Sequence, residues 1–419
     1  MGTTHDHTTG RRRAAAALVP LLLTALAACQ SGGGGTTGAT PSPTVTPVFD
    51  VRLDDQLQAA TKATTAAGNA AFTSTLRYGS AHGTAVDRAT GTQDYTADAA
   101  RAERELSVPR RFPAEAAEDL GARPGAAPVS ETYVIKGGQV DYRTRQGGWL
   151  RYSSQASMDV VDLYGGILDR AGETAPYGGT LAEVVRTADA TQQPVKGADG
   201  SRTYELTVAP QTAAPALPYF LRDPLTYARG GERVALTVVL DARGRLLRAS
   251  ADYTPVLKVM HAEGVLEGVT SLKAEYSLSG LGSTRLPGPE AGRETRTEDA
   301  EKALTPLTEV RPGSCGSTDT GLGGSLDLVR VVPCGKTADL RVFGQVTVKE
   351  TVQGNPDGVA NRKAGERCGT KFRSAPAAWV ADARPHGTYY SYGAGSSSSP
   401  YTGPDADVEG AFTCYVLTS

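Results

Sequence analysis

The sequence predicts an α+β protein: a large, mostly antiparallel sheet with helices on one face, followed by a small disulfide-bonded α+β domain. Three observations carry that expectation. Between residues 48 and 281, apolar and polar residues alternate in segment after segment, the period of half-buried strands. Only a few stretches there follow helical spacing instead. All the cysteines except Cys29 lie in the last quarter of the chain.

Residues 1–28 read as an export leader. Arg11, Arg12 and Arg13 form a positive start, Ala14 to Ala28 is apolar apart from Pro20 and Thr24, and small residues precede Cys29. The run is too short to cross a hydrocarbon core, which needs ~20 residues. Its Leu26-Ala27-Ala28-Cys29 ending resembles the lipobox of bacterial lipoproteins. The resemblance implies that Cys29 is diacylated, becomes the N-terminus after cleavage, and holds the chain at the outer face of a membrane. A secretory leader with a chance cysteine is the plainer alternative. Against it, residues 31–46 form a tether of Gly, Ser, Thr and Pro, extending to residue 47, that cannot build a core. A folded body needs such a spacer to clear a surface, and two acyl chains meet the requirement for stable anchoring. The arginine run leaves Sec and twin-arginine export both open.

The full chain carries formal charge −2. The leader holds three Arg and one Asp, so the remainder stands at −4. This weak, mixed charge argues against nucleic acid as a partner. Four cysteines, Cys315, Cys334, Cys368 and Cys414, in an exported domain read as disulfides. Three pairings are open; Cys315–Cys334 with Cys368–Cys414 is preferred because each pair then flanks one contiguous segment. Metal binding is disfavoured, since no Cys-x-x-Cys spacing exists and the nearby histidine is His386.

Taking the elements in order, residues 53–67 suit an opening helix ended by Gly68. Phe72, Ser74, Leu76 and Tyr78 mark a strand. Residues 133–142 suit a hairpin turning at Lys136-Gly137-Gly138-Gln139, and Trp149 to Tyr152 a further strand. Residues 158–171 follow helical spacing through Val160, Val161, Tyr164, Ile167, Leu168 and Ala171, stopped by Gly172. Tyr204, Leu206 and Val208 share one strand face. Val234 to Leu240, the turn at 241–244 and Leu246 to Tyr253 form a hairpin, and Val269 to Leu278 is the last strand of residues 48–281. Residues 282–299 are polar and read as a linker.

The segments YVIKGGQVDYRTRQGGWLRYS and VALTVVLDARGRLLRASADY, with Tyr276, Gly282, Pro287 and Pro289, resemble the LolA-like superfamily, especially the LppX/LprG group of actinobacterial lipoproteins. The resemblance covers about 240 residues and rests on strand and turn patterns. It implies a curved antiparallel half-barrel wrapped around helices, with an apolar cavity that holds acyl chains in several members. Tyr164, Ile167, Leu168, Phe220 and Leu221 are the candidates to line such a cavity; the alternative is that they are plain core.

In residues 300–419, a short helix opens at 300–305. Leu326, Leu328, Val329 and Val331 lead to Cys334. Leu340, Val342, Gly344, Val346 and Val348 alternate as a strand. Residues 360–367 suit a helix carrying Cys368 near its end, and Phe412, Cys414 and Val416 alternate as the final strand. Gly-Ser-Cys at 313–315, Val-Pro-Cys at 332–334, Val342-Phe343-Gly344 and the later cysteine pair resemble the small "septum formation" domain family. Two departures stand out. Gly335-Lys336-Thr337-Ala338 replaces the family's Pro-His, and a Ser/Gly/Tyr-rich loop at 387–404 replaces its late Trp-x-x-Gly. The resemblance therefore implies a fold and no role in septum formation. Tyr389, Tyr390, Tyr392 and Tyr401 make the loop either a recognition surface or an insertion.

Catalytic signatures are missing: the sequence has no Gly-x-Ser-x-Gly, His-Glu-x-x-His, P-loop or dinucleotide fingerprint. His82, His261 and His386 are the histidines beyond the leader. Asp54-Asp55 and Glu298-Asp299 fall at helix starts, where the helix dipole accounts for them. No enzyme, cofactor or metal is expected. Two expectations remain: a carrier of a lipid or other apolar ligand, or an interaction module binding an envelope protein or cell-wall partner.

Overall fold

The computed structural model describes residues 47–137, 139–153, 179–218, 221–226, 228, 230–287, 296–321, 328–353, 358–381, 383, 389–398 and 405–418. Within these the chain is α+β, dominated by two open sheets. A 3-10 turn at Leu53–Asp55 leads into α1 (Gln56–Thr65), inside the expected opening helix. Gly68 ends it at φ +88°, a left-handed conformation that costs glycine little. The helix expected at 158–171 lies outside the described residues.

The first sheet takes twelve strands among the described residues. They are β1 (Asn69–Ser80), β2 (Gly83–Asp94), β3 (Ala99–Ser107), β4 (Val129–Lys136), β5 (Gln139–Arg143), β6 (Trp149–Ser153), β7 (Val195–Lys196), β8 (Arg202–Val208), β9 (Val234–Leu240), β10 (Leu246–Asp252), β11 (Val269–Ser279) and β12 (Thr297–Asp299). Their spatial order is β12-β6-β5-β4-β3-β2-β1-β11-β10-β9-β8-β7, with β12 and β7 at open edges. Two meanders thus meet where β1 pairs antiparallel with β11, Leu76 opposite Ala274. The other pairs are antiparallel too, except that β12 runs parallel to β6.

Two differences from expectation concern this sheet. The alternation of large apolar residues did not mark β2 and β3, because their buried-face positions hold Ala85, Asp87, Ala89, Gly91, Ala102 and Arg104 beside Leu106. Small residues are required there: a Cβ at Gly91 would lie 2.6 Å from the Phe72 ring on β1. The end of the expected linker also joins the sheet as β12, Thr297 opposite Trp149. Strand pairing uses backbone N–H and C=O groups, which polar residues supply as well as apolar ones.

One face of the sheet is buried between its edge strands, but two different bodies cover it. Over β8 to β11 and β1 the cover is the chain's own helices: α1, α2 (Ala114–Asp119), α3 (Leu181–Thr187), α4 (Pro210–Ala213), α5 (Asp223–Thr226) and α6 (Leu257–Ala262). Tyr78, Tyr204, Tyr253 and Tyr276 are buried in that core. Polar bonds fix the helices in place: Tyr204 Oη donates to Gln56 Oε1 at 2.6 Å, Tyr253 Oη to the Ala213 carbonyl at 2.7 Å, and Leu246 N–H to Thr64 Oγ1 at 2.8 Å. Over β4 to β6 a separate cluster forms from Tyr133, Ile135, Val140, Tyr142, Leu150 and Tyr152 with Ala300 and Leu304. Those last two residues belong to α7 (Ala300–Ala303) and the residue after it, at the entrance to the second sheet.

The second sheet has six strands among the described residues: β13 (Thr305–Pro306), β14 (Cys315–Ser317), β15 (Leu328–Val332), β16 (Leu340–Gln353), β17 (Tyr390–Ser398) and β18 (Asp405–Leu417), in the order β13-β15-β14-β16-β18-β17. The helix α8 (Val359–Ser374) lies across β16, β17 and β18. Its buried residues Ala360, Ala364 and Cys368 recur every fourth position, one stripe of a helix. The helix runs past the expected end at 367, with Lys371 and Arg373 in its last turn and Pro376 beyond it. Cys368 bonds Cys414 on β18 with Cα atoms 5.4 Å apart, and Cys315 bonds Cys334 at 5.1 Å.

Candidate functional site

Among the described residues, a dense polar constellation lies where the second domain meets β4, β5 and β6. Strand alternation and register set Tyr133, Tyr142 and Tyr152 side by side on the buried face, with Tyr133 opposite Tyr142. Their ring centroids stand 5.2 Å apart. Each hydroxyl then meets one of three consecutive residues of the second domain. Tyr142 Oη donates to Asp319 Oδ1 at 2.6 Å and Tyr152 Oη to the Thr320 carbonyl at 2.5 Å, and Tyr133 Oη stands 3.4 Å from the Gly321 carbonyl. Gly321 has φ +77°, and a Cβ there would lie 2.4 Å from the Tyr142 ring, so the approach requires glycine.

Arg145, in the β5–β6 turn, completes the seam. Its backbone N–H donates to Asp319 Oδ2 at 2.7 Å and its guanidinium to Asp339 Oδ2 at 2.9 Å. Asp339 also accepts from the Ser317 hydroxyl and the Thr318 N–H, each at 2.8 Å. Burial opposes charge on Asp339, but Arg145 and these donors outweigh it and hold the carboxyl below its usual range. Burial pushes the Tyr142 and Tyr152 hydroxyls up, so both remain protonated donors at neutral pH.

A buried charge cluster stands beside the seam. Arg104 on β3 makes a two-pronged bond to Asp87 on β2, Nε to Oδ1 at 2.8 Å and Nη2 to Oδ2 at 2.6 Å, and a third to Glu131 on β4 at 2.8 Å. Tyr133 Oη donates to the same Glu131 oxygen at 3.0 Å. Burial works against the Arg104 charge, and Asp87 and Glu131 overcome it, raising its affinity for the proton. Sequence reasoning passed over this cluster and the tyrosine row. The signal for the tyrosines was present in the 133–152 alternation; nothing local marked their partner at 319–321.

Of the candidate cavity residues, Tyr164, Ile167, Leu168 and Phe220 lie outside the described residues. Leu221 is fully buried in the main core, the plain-core alternative. A pocket of about 30 Å³ opens between α1, α3 and the sheet, lined by residues including Thr64, Tyr95, Glu183 and Tyr276. That is room for water, against roughly 300–1,000 Å³ for small-molecule sites. Cys29 and His386 also lie outside the described residues. His82 is exposed; His261 sits on α6, its Nε2 buried with no hydrogen-bond partner among the described residues. No group of His, Cys, Asp and Glu suited to a metal occurs among the described residues.

The tyrosine-rich segment corrects the expected loop at 387–404. Tyr390–Ser398 is strand β17, because its backbone pairs with β18 along nine residues, Tyr390 opposite Tyr415. Tyr389 packs against Phe372 at 5.3 Å and Tyr390 against Tyr415 at 5.4 Å. Tyr401 lies outside the described residues. Among the described residues, the outer edge of β17 pairs with no strand.

No family model matches the chain, and no curated protein matches it. Several solved structures overlap it, three of them as follows. The Mycobacterium tuberculosis lipoprotein LppX matches at 13% identity and TM-score 0.27, covering 55% of this chain and 98% of that one. The Pseudomonas aeruginosa MucA/MucB complex matches at 10% identity and TM-score 0.24, covering 85% and 93%. A DUF1329 family protein from Desulfovibrio piger matches at 9% identity and TM-score 0.22, covering 58% and 97%. At such identities and scores, the function must be argued from this chain's own geometry.

Proposed function

We propose that this chain is a lipid-anchored, non-enzymatic binding module of the extracytoplasmic space, and that it captures an extended segment of an envelope protein along β17. The two disulfides and the leader ending in Cys29 support the compartment, since such bonds persist outside the reducing cytosol. The observation that carries the binding reading is the edge itself. β17 is nine residues long, YSYGAGSSS, with no charge, no proline and no bulge in its pairing. Exposed edges are normally blunted by lysine, proline or bulges. An open edge without them is the geometry by which sheets accept a peptide as an added strand.

A photo-crosslinking residue at Ser396, in the full anchored protein, should trap a partner through one short peptide stretch. The same residue at exposed Arg362 on α8 should not. A synthetic copy of that stretch should bind the purified chain, and Ser396→Lys should weaken it at least about ten-fold with an unchanged circular dichroism spectrum. Equal crosslinking at both positions, or full affinity in Ser396→Lys, would sink the proposal.

A second reading, binding of a lipid or other apolar ligand, is favoured by one observation. The apolar face of β4–β6 is covered by a separate domain, so displacing that domain would uncover Ile135, Val140 and Leu150. Native mass spectrometry of mildly extracted protein, with uptake of a fluorescent fatty acid at micromolar protein, tests it; no bound lipid and no uptake would exclude it. The anchor has its own test. Cys29→Ala should lose incorporation of labelled fatty acid and either leave the membrane fraction or remain uncleaved. Equal label in wild type and variant would remove the lipobox assignment.

A further inference from the structure

The two disulfides differ in access. Cys368 and Cys414 are both buried, between α8 and β18. In the other bridge only Cys315 is buried; Cys334 is exposed, in the turn after β15. That bridge staples the open end of a short ladder, in which Cys315 lies opposite Val332 and Ser317 opposite Arg330. β14 spans three residues and pairs with β16 at Cys315 and Gly316, and just before it Gly313 N–H donates to the Val342 carbonyl and Val342 N–H to the Ser314 carbonyl. It then runs directly into residues 318–321, the segment seated against Tyr133, Tyr142, Tyr152 and Arg145. The staple holds the base of the strand whose tip joins the two domains.

We propose that Cys315–Cys334 is a thiol–disulfide exchange site for an external dithiol, and that its reduction releases residues 318–321 from the β4–β6 tyrosines. A thiolate of the dithiol attacks the Cys334 sulfur. A sulfur–sulfur bond forms there, the Cys315–Cys334 bond breaks, and its electron pair leaves on Cys315, which takes a proton from water. The second thiolate of the reductant then attacks its own partner sulfur and expels Cys334, which is protonated in turn. The reductant loses two electrons and the protein gains two. Exchange requires the attacking sulfur to reach the bridge, so it is fast at an exposed disulfide and blocked at a buried one.

The folded mature chain is incubated with graded dithiothreitol, alkylated and mapped by peptide. Cys315–Cys334 should open at a reductant concentration at least about ten-fold below that needed for Cys368–Cys414. Hydrogen exchange on the same samples should show residues 315–321 exchanging about a hundred-fold faster once the bridge opens, the loop-closure effect of a bridge of this span. Residues 139–145 should follow, while β1 and β11 stay protected. The double variant Cys315→Ala/Cys334→Ala should show that pattern with no reductant. Arg145→Ala, with both bridges intact, should loosen 318–321 while leaving the β14–β15 pairing protected. Both bridges opening at the same reductant concentration would overturn the proposal. So would an opened Cys315–Cys334 with unchanged exchange at 315–321.

Discussion

Arg104→Ala is expected to destabilise the large sheet by about 3–5 kcal/mol, the cost of breaking a buried ion pair from one side. The Arg104 side chain is 11% exposed, and its partners Asp87 and Glu131 are 6% and 13% exposed. Removing the guanidinium leaves two carboxylates, on the strands either side of β3, with no cation between them and little water to replace it. The loss should exceed that of an exposed pair such as Arg52–Asp54, whose charges water and salt screen. Arg104→Met combined with Asp87→Asn and Glu131→Gln should recover most of the stability, because no unpaired charge is then buried. Urea unfolding followed by far-ultraviolet circular dichroism measures both variants. A loss below about 1 kcal/mol in Arg104→Ala would mean that water reaches the cluster and that its burial contributes little.

Replacing both Cys368 and Cys414 with alanine is expected to cost the second domain about 4 kcal/mol. The bridge spans 46 residues, and loop-closure entropy sets that scale. Both sulfurs also fill the core between α8 and β18, beside Phe343, Ala364 and Phe412, so the variant loses packing as well as the crosslink. Apart from the bridge, α8 is held by Val359, Ala360 and Ala364 and by Phe372, which packs against Phe343 and Tyr389. Removing the shorter Cys315–Cys334 bridge, whose span is 19 residues, should cost about 3 kcal/mol by the same scale. Thermal unfolding of each double variant tests the order. A larger loss for Cys315–Cys334 would show that the core around α8 holds without its bridge.

Much of the fold was legible as alternation. Strands such as β8, with Tyr204, Leu206 and Val208 buried in turn, announce themselves because each must give a sheet one apolar face. The glycines at 137 and 244 marked hairpins for a similarly local reason, positive φ. β2 and β3 were silent. Their buried face is built from alanine, glycine and a charge cluster, so side-chain size and pairing across strands replace hydrophobicity there. The length of β17 was hidden as well, because Gly and Ser read as loop wherever a neighbouring strand does not hold them extended.

By itself the sequence determined the α+β class and the split between a cysteine-free sheet and a disulfide-bearing end. It also determined the expectation of an anchored, exported chain. These follow from period, composition and spacing, which are local properties. Only the tertiary structure decided that the second domain covers β4–β6 and that Asp319, Thr320 and Gly321 meet a row of tyrosines. It alone decided that one disulfide is buried and the other exposed. The partners in those contacts stand more than 160 residues apart along the chain, Tyr152 from Thr320 by 168 and Tyr142 from Asp319 by 177. No local pattern carries such a pairing; burial and register select it once the strands have found their neighbours.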